Sequence, residues 1–209
     1  MKQVGLLGGA FDPIHNGHIR IAVEVAEALE LEEVKIVPVN IPSHRAMPEA
    51  SASQRCQMIA SVESSPLRLD DVEIERGGVS YTVDTLEYLK KKSPNCSFSL
   101  ILGEDAFLSI GNWHRASDIF SLTNFVVVSR EWFGKENQQS SYASLGGKLS
   151  CNPRDLAGSV GCVYFMKTPL IQLASSEIRE KRKTGRSILG LVPAQVETII
   201  LENNLYKNG

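Results

Sequence analysis

Short runs of consecutive apolar residues, rich in Val and Ile, alternate along the chain with longer stretches whose apolar residues recur every three or four positions. The first kind, at residues 3–7, 34–39, 68–74, 98–102, 124–128 and 161–165, predicts strands buried on both faces, as parallel sheets require. The second kind predicts helices. In the first of them Ile21, Ala22, Val25, Ala28 and Leu29 form an apolar stripe, with Glu24, Glu27 and Glu30 on the other side. Further helices are predicted over 53–62, 82–91, 176–183 and 193–203, with Thr82 and Ser176 as N-caps and Pro193 in a first turn. Strands alternating with helices give βαβ units and right-handed crossovers, hence an α/β fold with a mostly parallel sheet and helices on both faces. Residues 131–160 break the rhythm: Ser, Gly, Gln and Asn dominate and no period emerges, which predicts an irregular loop excursion.

Composition narrows the class. At about 150 residues per domain, 209 residues predict a single domain, 1–209, whose 170–209 portion is a small C-terminal helical region. With 43% hydrophobic and 22% charged residues the chain holds an ordinary globular balance, and disorder, collagen and coiled coil are excluded. Its 22 Lys and Arg against 24 Asp and Glu leave a charge of -2, which argues against the basic stripe of a nucleic-acid binder. Any anionic ligand must therefore be gripped locally. Cys56, Cys96, Cys151 and Cys162 form neither a CxxC pair nor a zinc-like spacing and read as free, reduced thiols. No apolar stretch approaches the 18 or so residues of a membrane span and nothing reads as a signal peptide, so no membrane partner and a cytoplasmic location are expected.

The strongest chemical signal is Gly8-Gly9-Ala10-Phe11-Asp12-Pro13-Ile14-His15-Asn16-Gly17-His18, between the first strand and the first helix. Ligands of open α/β sheets sit beyond the carboxyl ends of the strands, and a helix start there offers free N–H groups to an anion. Gly8 and Gly9 remove side chains where a phosphate approaches the backbone. His15 and His18, three apart, lie on one side of the opening turn, where both can donate to one phosphate. This is neither a Walker A loop nor a GxGxxG fingerprint.

The GGxFDPxHxGH pattern resembles the nucleotidyltransferase superfamily. Further segments in the same order are similar to those of nicotinate mononucleotide adenylyltransferases: Pro42-Ser43-His44-Arg45 to their PPHK, Ser80-Tyr81-Thr82-Val83-Asp84-Thr85 to SYTxxT, and Gly103-Glu104-Asp105 to GxD. Trp113-His114 falls at a tryptophan-aromatic pair, Ser175-Ser176-Glu177-Ile178-Arg179 at STxIR, and the ending from Leu191-Val192-Pro193 to Tyr206 is similar too. The chain departs from that pattern at Ser43, His114, Ala174 and Ser176, and Glu131-Trp132-Phe133 follows Arg130 where relatives carry Pro.

The resemblance implies a Rossmann-like nucleotidyltransferase fold and an activity in NAD biosynthesis: adenylyl transfer from ATP to nicotinate mononucleotide. It implies His18, His15 and Arg179 as the catalytic groups. ATP is then held by Gly8, Gly9, Ala10, Phe11, His15, His18, Gly103, Asp105, Arg130, Ser175, Ser176 and Arg179. The mononucleotide is held by Ala10, His44, Arg45, Tyr81, Thr82, Thr85, Trp113 and His114. No protein-held metal is implied, and Mg²⁺ enters as a cofactor on the ATP phosphates. Read singly, Thr82 and Ser176 are ordinary caps, Arg179 and Arg45 solvated charges, and Trp113 a core residue. Nicotinamide mononucleotide or phosphopantetheine as acceptor, and a catalytically inactive nucleotide sensor, stay open as alternatives. The oligomeric state is open as well.

Overall fold

The computed structural model describes residues 1–129, 142–150, 152–168 and 171–207. Its strands are β1 (Lys2–Gly9), β2 (Glu33–Pro38), β3 (Ile41–Pro42), β4 (Leu67–Leu69), β5 (Val79–Ser80), β6 (Cys96–Gly103), β7 (Asn124–Ser129), β8 (Lys148–Ser150) and β9 (Cys162–Lys167). Its helices are α1 (Asn16–Leu29), α2 (Ala52–Ala60), α3 (Val72–Arg76), α4 (Thr82–Lys92), α5 (Glu104–Leu108), α6 (Ala116–Leu122), α7 (Ser175–Lys183) and α8 (Ala194–Glu202). Seven strands form one sheet in the order β4-β2-β1-β6-β7-β9-β8, and β3 pairs β5 separately. Among the described residues every pairing between these strands is parallel.

The parallel ladder follows from side chains that alternate between two buried faces. On β7, Phe125 and Val127 point to one apolar cluster and Val126 and Val128 to the other; on β6, Phe98, Leu100 and Leu102 oppose Ile101. One face is covered by Ala22, Val25, Ala26 and Leu29 of α1 together with Ile178 of α7 and Val196, Ile199 and Ile200 of α8. The other is covered by Val83, Leu86 and Leu89 of α4, Phe107 of α5, and Ile119 and Phe120 of α6. Burial of apolar area on both faces is what the continuous Val/Ile runs require.

From β1 the chain winds outward through β2 to β4, then crosses back to β6 and winds outward in the opposite direction through β7 and β9. The reversal lies between β1 and β6, so a crevice opens beyond their carboxyl ends, at Gly9 and Gly103.

Several sequence expectations need correction. The strand expected over 68–74 is only β4, followed by α3, because Asp70 breaks it: one carboxylate oxygen accepts from Val72 N–H at 3.2 Å and the other from Lys35 Nζ at 2.6 Å. Helices α5 and α6 have five and seven residues, too few for a period to show. Strand β8 lies inside the expected irregular excursion, set by its partner β9 rather than by its own three residues. Residues 130–141 and Cys151 lie outside the described residues; Cys56, Cys96 and Cys162 are free thiols. The helix expected at 53–62 begins instead at Ala52, behind a capping box in which Ser51 Oγ accepts from Gln54 N–H and Gln54 Oε1 from Ser51 N–H. Neither Thr82 nor Ser176 is an N-cap: Tyr81 and Ala174 hold those places without a side-chain hydrogen bond, and Thr82, Ser175 and Ser176 lie inside the first turns. Pro193 is itself the N-cap of α8.

Candidate active site

The glycine loop leaves β1 at Gly9 and turns through Phe11, whose φ of 48° lies in the left-handed region that residues with a Cβ rarely occupy. The turn folds the buried Phe11 ring back over the strand end: a Cβ at Gly9 would stand 3.1 Å from it. Glycine is what permits the approach. The same ring presents an edge-to-face contact to His18, centroids 5.0 Å apart.

His15 is the N-cap of α1, with extended backbone, and its Nδ1 accepts from the His18 N–H at 3.3 Å. A nitrogen that accepts carries no proton, so the neutral ring carries its hydrogen on Nε2. The His15 and His18 rings stack at 3.6 Å with their planes 16° apart. Gly17 makes room for the stack, since a Cβ there would stand 3.1 Å from the His15 ring. Thus the spacing of the two histidines does bring their imidazoles to one side of the turn, as a pair. Burial lowers His15 from the usual 6.5 to about 4. His18 is lowered well below its ordinary value, chiefly by burial and then by the charge of His15. Both rings are therefore neutral donors at neutral pH, able to serve a phosphate without carrying a counterion into the site.

A pH dependence follows. A histidine whose pKa is lower folded than unfolded takes up its proton first in the unfolded chain, so its stabilising effect is complete above about pH 6.5 and decays as pH falls toward about 4. For the buried His15 alone the loss amounts to roughly 3 kcal/mol over that window, at about 1.4 kcal/mol per pKa unit. Urea midpoints are expected to fall between pH 7 and pH 5, and to fall less in His15→Asn, which keeps a capping acceptor but does not titrate. Identical slopes for the two proteins would refute the assignment.

Helix α7 comes up against the same loop. Ser175 Oγ donates to the Pro13 carbonyl at 2.9 Å, and Arg179 Nη1 donates to the Asp12 carbonyl at 2.8 Å. No side chain caps α7, and Ser175 and Arg179 fasten its first turns to the loop backbone, with Ser176 exposed beside them. Gly103 is the N-cap of α5 at the end of β6, and Asp105 sits exposed in the first turn, beside the glycine loop across the β1–β6 boundary. Arg130 lies outside the described residues.

The residues expected to hold a mononucleotide divide. Tyr81 and His114 meet, ring centroids 4.4 Å apart, and half-buried Trp113 packs against the α4 face of the sheet. Tyr81 is the N-cap of α4, and no side chain caps that helix. Thr85 does not present its hydroxyl there: it is buried, donates to Glu73 Oε1 at 2.7 Å and accepts from Arg76 Nη1 at 3.2 Å. Its place one turn into the helix aims it at α3, so it supports the helix start from beneath. Burial raises the Glu73 carboxyl above its usual range, against the hydrogen bond from Thr85. His44 and Arg45 lie exposed on the loop after β3.

Three supporting groups escaped the sequence reading. Asp12, 3% exposed, accepts from Glu49 N–H at 2.7 Å, Ala50 N–H at 3.0 Å and Tyr206 OH at 2.8 Å. Arg55, buried on α2, donates from Nη1 to the carbonyls of Ala10 and Val39 at 3.0 and 2.8 Å and so fixes the glycine loop from behind. Glu49 bridges Arg179 and Lys183. Asp12 could have been singled out as the one acid inside the glycine motif; an arginine on a helix carries no such mark.

The cytidylyltransferase-like family matches residues 6–181. A protein from Pseudomonas syringae pv. tomato named probable nicotinate-nucleotide adenylyltransferase is 36% identical, covering 99% of this chain and 94% of its own. One of the same name from Geotalea daltonii is 38% identical, covering 99% of both. The chain belongs to the nicotinate-nucleotide adenylyltransferase family. A solved structure of Plasmodium falciparum nicotinic acid mononucleotide adenylyltransferase complexed with NaAD shares the fold at TM-score 0.73, with 20% identity over 99% of this chain and 98% of that one. Like the strand order, it agrees with the expected nucleotidyltransferase architecture. In this nicotinate-nucleotide adenylyltransferase family member the glycine loop, α7 and α5 gather at one sheet end, and the Tyr81–His114 pair marks a separate helix start. Among the described residues no helix is long and apolar enough to cross a membrane.

Proposed function

We propose that the protein joins ATP and nicotinate mononucleotide to give nicotinate adenine dinucleotide and pyrophosphate, a step of NAD biosynthesis, as one domain spanning 1–209 in the cytoplasm. The observation that carries this reading is the stacked, neutral His15–His18 pair at the β1–α1 loop, the same loop to which Ser175 and Arg179 of α7 are bonded. Relatives of this chain along its whole length bear the name of that activity.

In the reaction a 5′-phosphate oxygen of the mononucleotide forms a bond to the α-phosphorus of ATP while the bond from that phosphorus to the bridging oxygen of the β-phosphate breaks. The nucleophile is already an anion, so neither a general base nor a covalent intermediate is needed. The barrier lies in bringing two anions together and in stabilising charge on the transferring and leaving groups. His15 Nε2–H, His18 and the amides near Gly9 and Ala10 meet the α-phosphate; Ser175, Ser176 and Arg179 hold the leaving phosphates. Gly8, Phe11 and Gly103 shape the ATP crevice, Asp105 takes its ribose hydroxyls and Arg130 lies beside adenine. The groups at this end are mostly donors, and among the described residues no three His, Cys, Asp or Glu side chains converge as metal ligands. They suit a metal that arrives with its own ligands: Mg²⁺ on the ATP phosphates neutralises charge there. His44 and Arg45 take the phosphate of the mononucleotide, Trp113 and His114 its pyridine ring. The free N–H groups of α4 near Tyr81 and Thr82 take its carboxylate, with Thr85 fixing that helix start.

The test is pyrophosphate release from Mg-ATP with nicotinate mononucleotide, nicotinamide mononucleotide or phosphopantetheine as acceptor. The nicotinate form is expected to give the highest kcat/KM. A preference for either other acceptor replaces the substrate, and ATP binding with no turnover of any of the three converts the enzyme into a sensor.

A further inference from the structure

Glu49 lies on the loop that follows β3, and its carboxylate bonds two cations of α7. Its Oε1 accepts from Arg179 Nε at 3.0 Å and from Lys183 Nζ at 2.9 Å. Arg179 and Lys183 are four residues apart on one helix, hence on one face, and a single oxygen atom spans them. A phosphate oxygen has the same charge and the same reach. We propose that Lys183 is a polyphosphate-binding residue acting with Arg179, and that Glu49 is a carboxylate that occupies their shared position in the free protein and must be displaced when ATP binds. The inference rests on reading α7 as the helix that holds the ATP phosphates.

The geometry favours displacement over a permanent bridge. Arg179 is fixed independently of Glu49, since its Nη1 donates to the Asp12 carbonyl at 2.8 Å; when the carboxylate leaves, the guanidinium stays in place with Nε open. Glu49 itself is held to Asp12 only through its backbone N–H, at 2.7 Å, so its side chain can swing away without disturbing the loop. Its carboxylate is 41% exposed and has water to move into. The hydrogen bond from Lys183 holds the Glu49 carboxyl below its usual range; burial opposes it, and the hydrogen bond from Arg179 adds to the lowering. The carboxylate is therefore charged throughout the physiological range, and it is that charge the ligand has to replace.

The experiment is calorimetric titration of the full-length protein with inorganic pyrophosphate and, separately, with AMP, in the absence of divalent metal, for wild type, Glu49→Gln, Lys183→Met and the double variant. Glu49→Gln keeps the backbone bond to Asp12 and is expected to bind pyrophosphate about three- to ten-fold more tightly, the scale of two partly exposed ion pairs that no longer have to be broken. Lys183→Met is expected to bind it about three- to ten-fold more weakly, in both the wild-type and Glu49→Gln backgrounds. AMP, which lacks the β- and γ-phosphates, is expected to bind all four proteins alike, and the pyrophosphate differences are expected to shrink at high salt. Unchanged or weaker pyrophosphate binding in Glu49→Gln, or unchanged binding in Lys183→Met, overturns the proposal while leaving the α7 assignment intact. Failure of the wild-type protein to bind pyrophosphate at all overturns that assignment and the proposal with it.

Discussion

His18→Ala is expected to lower kcat by about 10²-fold or more, the scale seen when one donor to a transition-state oxyanion is removed. The ring is set for this role by its surroundings. It stacks on His15 at 3.6 Å and meets the Phe11 edge at 5.0 Å, so its plane is fixed from two sides before any ligand arrives. Burial keeps it neutral, and its buried Nδ1 finds no hydrogen-bond partner among the described residues. A ring held this way gives little to the fold through hydrogen bonds, and its removal is expected to change the melting temperature far less than it changes the rate. The loss is expected in kcat, with KM for ATP moving much less, because a donor to charge that develops in the transition state contributes little to ground-state binding. Steady-state kinetics over both substrates, with a melting curve as the control for folding, checks it. A kcat near the wild-type value, or a loss confined to KM, removes His18 from the centre of the reaction.

How far the site was legible in the sequence depends on whether a group acts through its own segment or through distant ones. The glycine loop and the His15–His18 pair are local: six residues at a strand-to-helix junction hold the geometry, and the three-residue spacing alone predicts adjacent rings. The buried runs at β1, β2, β6, β7 and β9 are equally plain, because burial on both faces leaves no polar alternation to confuse the pattern. The shortest elements, β3, β5, β8 and α5, exist because neighbours pair with them or pack on them, and nothing in two to five residues announces that. The caps misled for a more informative reason. Thr82 and Ser176 have the chemistry of N-caps, yet stand inside helices whose starts are left uncapped. The residue whose backbone opens the helix, here Tyr81 or Ala174, sets where it begins, whatever the cap chemistry of the residues that follow. Thr85 is the converse: a polar residue in a recognisable motif whose hydroxyl is spent on Glu73 and Arg76, groups at sequence positions too distant to suggest it.

Asp12→Ala is expected to cost about 3–5 kcal/mol of stability, the penalty of breaking a buried charged network by removing one member, and so to lower the melting temperature by roughly 10 °C. The carboxylate is 3% exposed, and two backbone N–H groups, the Tyr206 hydroxyl and, at 3.7 Å, Arg179 converge on it. Truncation leaves buried donors without acceptors, and each must be desolvated uncompensated. Because those donors come from residues 49, 50 and 206, the variant loosens the loop before α2 and the chain end together, along with the main-chain turn whose carbonyl holds Arg179. Tyr206→Phe separates these effects. It removes one hydrogen bond to a charged group, worth about 1.5–3 kcal/mol, without touching Arg179 or the loop. The phenol, whose ionisation burial and the Asp12 charge both suppress, acts there only as a donor. Tyr206→Phe is therefore expected to lower stability while leaving KM for ATP as it was, whereas Asp12→Ala, assayed below its melting transition, is expected to raise that KM as well. If Asp12→Ala does not fold, Asp12→Asn carries the test, since it keeps one oxygen acceptor and loses the charge that faces Arg179. Stability within about 1 kcal/mol of wild type in Asp12→Ala, or an ATP effect as large in Tyr206→Phe, would show that the carboxylate does not hold loop and arginine as one unit.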